Sequence, residues 1–205
     1  MKSRWMLLAL LWPLAALADE TLPQVLARLR QDGEGKFQYQ ETRTLELATA
    51  PWQGQGYMLT DGKGSLVKLQ LAPQRVIMAV SQQRLYYYDP SLQQRHELPL
   101  DYADPAAGQI VVFRSLLQGR SEDFQADYAF AAKQHDGFWR LTLTPKTGHE
   151  TAARIEIAGD DRVRSRQITI LQADGDSTVY RIEPLPVPQA ASVSIDGLLR
   201  EAVGD

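Results

Sequence analysis

Short stretches that alternate apolar and polar residues fill most of this chain, and they constrain its fold more than any other feature. Alternation with a period of two is typical of strands that bury one face. Turn signals such as Asp136-Gly137 and Asp174-Gly175 separate neighbouring stretches and predict hairpins. So many consecutive hairpins predict one large antiparallel sheet, which must curl at this width. The strands are predicted at residues 36–47, 52–60, 65–71, 76–81, 85–88, 128–134, 138–144, 153–158, 164–171 and 177–183.

Two helical patterns interrupt the strands. In residues 21–32 the apolar side chains recur every three or four positions, which is typical of a helix with one buried stripe. A second pattern begins at Asp104-Pro105 and is closed by Gly119. Because the concave face of a curled sheet must be covered, we expect both helices to lie over it. The predicted fold class is α+β and mostly β: a single curled antiparallel sheet forms an incomplete, half-open β-barrel, with helices covering its mouth and an apolar cavity beneath them.

Residues 1–18 have the features of a secretory signal peptide. Lys2 and Arg4 provide positive charge, residues 6–17 form an apolar run, and Ala16-Leu17-Ala18 fits a cleavage site. The run is shorter than the ~20 residues that cross a bilayer. We therefore expect cleavage after Ala18 and a periplasmic location. The mature chain then divides into a barrel domain at residues 19–188 and a C-terminal segment at residues 189–205, which is either a short helix or a disordered tail.

The composition excludes several classes of protein. The chain has no cysteine, so it has no disulfide, no thiolate metal site, no cysteine nucleophile and no N-terminal cysteine that could carry a lipid anchor. Its formal net charge is −3, and losing Lys2 and Arg4 with the signal peptide leaves 20 basic against 25 acidic side chains, a net charge of −5. An acidic chain of this kind is not expected to bind nucleic acid through its phosphate backbone.

Sequence motifs for catalysis or metal binding are also absent. His96, His135 and His149 lie in or beside predicted turns, and no two of them have the spacing of a zinc-binding pair. The chain has no Gly-x-Ser-x-Gly nucleophile motif, and its paired turn aspartates lack the pattern of a calcium loop. The sequence therefore offers no recognisable catalytic or metal-binding set.

Two charged residues of the first strand, Glu41 and Arg43, fall on its otherwise apolar face. They either pair inside the cavity or mark the point where the strand leaves the core. The many aromatic residues, Tyr86-Tyr87-Tyr88 among them, also have two interpretations. They are either ordinary core or the lining of a pocket for an acyl chain or another lipid.

Several short motifs, taken in order along the chain, resemble those of the periplasmic outer-membrane lipoprotein carriers, the LolA-like family. The similarity runs from about residue 22 to residue 183, which is nearly all of the mature chain. The matching motifs are a Phe-x-aromatic strand at Phe37, a Gly-x-Gly strand at Gly54, strands that end in Tyr88-Asp89-Pro90, a segment from Asp136 to Lys146 that ends in Thr-Pro-Lys, and Ile168-Thr169-Ile170 before the Asp174-Gly175 turn.

This resemblance implies an incomplete β-barrel whose cavity takes the acyl chains of lipoproteins and carries them across the periplasm. It implies no cofactor and no bond-making step, so no enzyme activity is expected. The implied partners are a lipoprotein or lipid cargo, a releasing complex of the inner membrane and an acceptor at the outer membrane, and we expect the carrier to be a monomer. Burial of the acyl chain would drive binding, at ~0.8 kcal/mol per methylene. The residues expected to line the cavity are Phe37, Tyr39, Leu45, Tyr57, Leu66, Met78, Tyr87, Ile110, Phe113 and Leu117.

The chain departs from the family at the arginine that is thought to latch the helical lid. Where the family carries an aromatic-Arg-Trp run, this chain has Leu66, Val67 and Lys68. The candidates to replace the missing latch are Lys68, Arg75 and Arg43. The chain therefore resembles a divergent branch of the family, whose cargo is either a lipoprotein or another lipid or polyene-type product.

Two other classes of function fit the same sequence. One is a periplasmic protein-interaction or sensor module, which would use the same curled sheet without a lipid cargo. The other is a hydrolase with an unrecognised site, which would need cavity carboxylates with a raised pKa. Glu41 is the residue that the sequence offers for that role.

Overall fold

A computed structural model of the chain describes residues 22–30, 33–100, 114–116, 118, 120, 124–147, 152–163 and 165–205. These residues form three helices, α1 (Leu22–Leu29), α2 (Val187–Ser192) and α3 (Ile195–Val203), and a helical turn at residues 114–116. They also form eleven strands: β1 (Gly35–Thr44), β2 (Trp52–Thr60), β3 (Leu66–Ala72), β4 (Val76–Ser81), β5 (Arg84–Asp89), β6 (Gln94–Pro99), β7 (Tyr128–His135), β8 (Phe138–Pro145), β9 (Arg154–Asp160), β10 (Ser165–Leu171) and β11 (Ser177–Pro184).

All of these strands belong to one antiparallel sheet, in the order β6-β5-β4-β3-β2-β1-β11-β10-β9-β8-β7. β1 pairs with β2 on one side and with β11 on the other, so the first and last strands join the two halves of the sheet. β6 and β7 are the edge strands, and in the described part of the chain the sheet is not closed between them. The predicted fold, a mostly β protein with one curled antiparallel sheet that remains an incomplete barrel, is confirmed.

The sequence pattern misses one strand and extends another too far. β6 is exposed at every position, so its sequence shows no alternation of apolar and polar residues. β1 ends at Thr44 rather than at residue 47, and Leu45 and Leu47 are 45% and 98% exposed in the turn that follows. The alternation therefore continues past the end of the strand without burying either leucine.

One face of the sheet, here called the inner face, packs against α1. The helix buries Leu22, Val25, Leu26 and Leu29, which recur at the spacing of one helical stripe. These four residues belong to a core cluster that also contains side chains of β1, β2 and β7–β11. Because this cluster joins strands from both halves of the sheet, it fills the interior of the curl.

The opposite face of β2–β5, here called the outer face, packs against α3. Ser194 caps this helix by accepting a hydrogen bond from the Gly197 amide at 3.2 Å, and Gly204 ends it with a φ of 98°. The C-terminal segment therefore contains a helix that covers the sheet on the side opposite α1. The buried residues of this outer cluster are Leu59, Val67, Leu69, Ile77, Ala79, Ile195, Leu198 and Ala202.

A glycine in β2 permits the close approach of β3. Gly56 lies at an irregularity in the register of the two strands, and a methyl group on its Cα would lie 1.9 Å from the Leu69 carbonyl oxygen.

Gly56→Ala should therefore lower the free energy of unfolding by about 3 kcal/mol, measured by urea denaturation, because backbone atoms must move. Gly54→Ala is the matched control, and it should cost about 1 kcal/mol because its methyl group would meet the Trp52 ring, which can rotate. Equal losses would contradict this interpretation.

Candidate functional site

A small apolar cavity lies on the inner face beneath α1. Its volume is about 20 Å³, which is room for one water molecule and far less than an acyl chain needs. Side chains fill the space around it, including the buried Leu116 of the helical turn. The residues that line the cavity are Leu29, Phe37, Met58, Leu59, Thr60, Leu66, Leu116, Ile157, Arg166, Ile168 and Ile182.

A wider, polar cleft lies beside this cavity, between the C-terminal end of α1 and the beginning of β1. Its volume is about 390 Å³, and charged side chains of both signs line it. An ion pair between Arg28 and Asp161, with 2.9 Å between nitrogen and oxygen, crosses its wall. Phe37 and Arg166 line both the cleft and the cavity. The cleft therefore connects solvent with the edge of the apolar interior.

The structure places several of the predicted cavity residues on the inner face. Phe37 and Leu66 line the cavity, and Tyr39, which is 2% exposed, follows Phe37 on the same face of β1. Met78 and Tyr87 pair across β4 and β5 on this face, and both are half-buried. Three other predicted residues, Ile110, Phe113 and Leu117, lie outside the described residues.

Two predicted cavity residues lie elsewhere, and most of the lining residues, Ile182 among them, were not predicted. Tyr57 packs against the outer cluster, so its neighbour Met58 is the residue that faces inward. Leu45 lies in the exposed turn after β1. Ile182, which is absent from the residues predicted to line the cavity, pairs with Tyr39 across β11 and β1. Only the register between strands identifies such residues, and a single strand's sequence does not contain it.

Charged side chains interrupt the apolar inner face towards the C-terminal end of β1. The Glu41 side chain is fully buried, and it accepts hydrogen bonds from the Lys68 ammonium, from Arg43 Nε at 2.5 Å and from the Tyr180 hydroxyl at 3.0 Å. We call these four residues, which come from β1, β3 and β11, the inner charge cluster. Glu41 and Arg43 therefore pair on the inner face, as one of the two interpretations expected, but neither of them lines the cavity.

Aromatic rings surround the inner charge cluster. The Lys68 ammonium lies 5.1 Å from the ring centre of Tyr39 and 5.2 Å from that of Tyr180. The Arg43 guanidinium lies 4.7 Å from the ring centre of Trp52. Such cation–π contacts favour a positive charge where little water is present. The Tyr39 hydroxyl is buried, and within the described residues it has no hydrogen-bond partner.

Burial and the charge of the partner act in opposite directions on the pKa values of Glu41 and Lys68. Burial by itself raises the pKa of Glu41, but Lys68 and then Arg43 outweigh it and hold this pKa below its usual range. Burial lowers the pKa of Lys68, and Glu41 offsets only part of that effect. Burial also raises the pKa values of Tyr39 and Tyr180. At neutral pH Glu41 is therefore ionised and both tyrosines are uncharged.

The three candidates for a latch occupy two different places. Lys68 and Arg43 belong to the inner charge cluster, whereas Arg75 contacts α3. The Arg75 guanidinium donates two parallel hydrogen bonds to the Glu201 carboxylate, at 2.5 and 2.8 Å. A bidentate pair of this kind fixes orientation as well as distance. Arg75 therefore helps to hold α3 against the sheet.

The inner charge cluster has the chemistry of an ion pair rather than that of an acid catalyst. A general acid needs a pKa raised towards neutrality, whereas the pKa of Glu41 is lowered. Among the residues that the structure describes, no three acidic or histidine side chains are grouped so that they could hold a metal ion. None of the described helices has the length and apolar character needed to span a bilayer.

The lowered pKa of Glu41 makes the stability depend on pH in one direction. Because its pKa in the folded state lies below its ordinary value of 4.5, Glu41 stabilises the fold above that pH. This contribution should be lost as the pH falls through the folded-state pKa. The free energy of unfolding of the wild type should fall more steeply than that of Glu41→Gln between about pH 5 and pH 3, measured by urea denaturation. Parallel curves would contradict an ionised, paired Glu41.

Two solved structures match this chain over most of its length at low sequence identity. A LolA-superfamily protein from Nitrosomonas europaea is 11% identical, with a TM-score of 0.42, and the match covers 84% of this chain and 96% of that one. A DUF1329 family protein from Desulfovibrio piger is 10% identical, with a TM-score of 0.46, and the match covers 86% of this chain and 96% of that one. No curated protein matches the sequence significantly.

The family of the chain is established by a match over most of its sequence. A family model for the outer membrane lipoprotein carrier protein LolA matches residues 36–194. The match begins in β1, includes all ten remaining strands that the structure describes and extends through α2. The resemblance indicated by the short motifs is confirmed, and the chain belongs to the LolA family of outer membrane lipoprotein carriers.

Proposed function

We propose that this protein is a periplasmic carrier that holds the acyl chains of a lipoprotein or another lipid inside its half-barrel and shuttles them towards the outer membrane. The observation that carries the proposal is membership of the LolA family, over residues 36–194. The core beneath α1 supports it, because most of the side chains there are apolar and come from strands of both halves of the sheet. An acyl chain in this place would be removed from water along its whole length.

The interior must open before it can hold a cargo, since its present cavity is about 20 Å³. α1 is the described element best suited to move away. It has eight residues, too few for a stable helix on its own, and it is held through one apolar stripe and a half-exposed ion pair of Arg28 with Asp161. An acyl chain that enters would replace the contacts of this stripe, and each methylene it buries would contribute ~0.8 kcal/mol. Cargo and α1 therefore compete for the same apolar surface.

The proposal includes a route and partners. Residues 1–18 direct export and are removed after Ala18, which releases the chain into the periplasm. A releasing complex of the inner membrane supplies the cargo, and an acceptor at the outer membrane receives it. The carrier acts as a monomer without a cofactor, and it makes and breaks no covalent bond. The ionised, paired state of Glu41 supports this non-enzymatic function.

Uptake of a lipopeptide from vesicles tests the proposal. Delipidated protein is incubated with phosphatidylethanolamine vesicles that contain a synthetic triacylated lipopeptide, and the vesicles are then removed by centrifugation. We expect the lipopeptide to remain in the supernatant as a complex with the protein. The same peptide without acyl chains is the control and should not bind. If neither the lipopeptide nor the phospholipid enters the supernatant with the protein, the proposal is wrong.

One observation favours a second function, that of a protein-interaction module. β6 is an edge strand and is exposed at every position. The free edge of a sheet can pair with an extended segment of a partner protein. A module of this kind would retain a protein partner through affinity purification and would take up no lipopeptide. The vesicle experiment therefore separates the two functions.

A further inference from the structure

The inner charge cluster contains two cations for one carboxylate. Among the described residues, Glu41 is the acidic side chain that acts on both Lys68 and Arg43. With two positive charges and one negative charge, the cluster has a net charge of +1, and the Lys68 side chain is only 14% exposed. Arg43 is 43% exposed and partly hydrated, so the cost of unbalanced charge falls mainly on the enclosed Lys68. An anion bound beside Lys68 would offset that cost.

The inner face of β1 changes from apolar to charged along the strand. Phe37 lines the cavity, whereas Glu41 and Arg43 belong to the inner charge cluster. Glu41 lies four residue steps after Phe37 in the extended strand, a distance of about 13 Å. Lys68 connects the two regions, because it pairs with the cavity residue Met58 across β2 and β3 while its ammonium reaches Glu41. A molecule lying along β1 would therefore meet an apolar surface at one end and positive charge at the other.

The surroundings of the cluster contain a further hydrogen-bond donor. The Tyr39 side chain is 2% exposed, and its hydroxyl has no hydrogen-bond partner within the described residues. Burial and the neighbouring Arg43 both lower the pKa of Lys68, and a bound anion would raise that pKa again. A bound anion would accept a hydrogen bond from the Tyr39 hydroxyl. The same anion would supply the counter-charge that the Lys68 ammonium lacks.

We propose that the inner charge cluster binds the negatively charged head of an amphiphilic cargo, a carboxylate or a phosphate ester at the end of an acyl chain. This inference rests on the proposed carrier function and names the class of its cargo. Lys68 and Arg43 contact the anion, and the acyl chain lies over Phe37 and Met58. In the empty protein, Glu41 holds the two cations in place.

Ligands with one chain length and different heads test this inference. Displacement of the neutral dye N-phenyl-1-naphthylamine from delipidated protein compares palmitate, 1-palmitoyl lysophosphatidate and hexadecanol. At least one anionic ligand should bind about tenfold more tightly than hexadecanol, and the tighter of the two identifies the head as carboxylate or phosphate. Lys68→Met, which makes the cluster neutral, should abolish this preference, so that the anionic ligands bind no more tightly than hexadecanol. Lys68→Arg should retain the preference.

Further variants test whether the loss of preference in Lys68→Met is specific to the inner charge cluster. Lys63→Met removes an exposed lysine of the turn between β2 and β3 and should leave the preference unchanged. If Lys68→Met does not fold, Arg43→Gln replaces it, because it also makes the cluster neutral while Glu41 keeps its pair with Lys68. Equal affinity for charged and neutral ligands, or equal loss in Lys63→Met and Lys68→Met, would overturn the inference. Failure of all three ligands to bind would also overturn the inference, whereas failure of the lipopeptide uptake from vesicles would overturn the carrier function.

Discussion

Glu41→Leu should lower the free energy of unfolding by about 3–5 kcal/mol, which is the usual cost of removing one partner of a buried ion pair. The substitution leaves the Lys68 ammonium without its carboxylate at a site where the side chain is 14% exposed. The Tyr180 hydroxyl also loses the oxygen that accepts its hydrogen bond at 3.0 Å. Arg43 is 43% exposed and can turn towards water, so most of the loss should come from Lys68.

A double substitution separates the cost of the unpaired charge from that of lost packing. Glu41→Leu combined with Lys68→Met replaces the ion pair by apolar groups of similar volume, an exchange that is often close to neutral. The double variant should therefore recover most of the stability that Glu41→Leu loses. Urea denaturation followed by tryptophan fluorescence measures the two single variants and the double variant. If the losses in free energy of unfolding of the two single variants simply add in the double variant, the burial of Lys68 does not depend on its pairing with Glu41.

Leu26→Asp should detach α1 and open the interior to apolar ligands. Leu26 is 4% exposed on the face of α1 that packs against the sheet, and burying a carboxylate there without a partner costs several kcal/mol. A helix of eight residues cannot offset that cost, whereas the sheet keeps its ladders and its outer layer of α3. The fluorescence of bound N-phenyl-1-naphthylamine should rise several-fold, and the far-ultraviolet circular dichroism of the strands should remain.

Ala27→Asp is the matched control for this variant. It introduces the same charge one position further along α1, where the side chain is exposed. Its dye fluorescence should equal that of the wild type. If Leu26→Asp also binds no more dye than the wild type, α1 does not cover a space for ligands. If the sheet unfolds in Leu26→Asp, α1 is an integral part of the core and does not act as a lid.

The sequence predicts the sheet well because its strands bury one face, and burial of one face produces the period of two. The prediction fails where that cause is missing. β6 buries neither face, so nothing in residues 94–99 marks it as a strand.

The run Tyr86-Tyr87-Tyr88 illustrates a second limit. Tyr86 and Tyr88 pack against the outer cluster, whereas Tyr87 pairs with Met78 on the inner face, and the presence of α3 on the outer face is not encoded in β5 itself.

The candidate site was predictable only in part for a related reason. Glu41 and Arg43 stand out because they share the apolar face of one strand, two residues apart. Lys68 and Tyr180 join them from β3 and β11, and the distances of 27 and 139 positions along the chain show why local patterns do not reveal the contact. The resemblance at the latch position selects Lys68, but only the structure shows that Glu41 is its partner.

Native mass spectrometry of the protein purified from the periplasmic fraction of the cells that naturally produce it tests the carrier function most directly. The spectrum should show the chain that begins at Asp19, together with a heavier species that contains one acylated molecule. The heavier species should disappear after delipidation and return when the protein is incubated with a triacylated lipopeptide. The mass of the bare polypeptide alone, both in the purified sample and after that incubation, would contradict the carrier function.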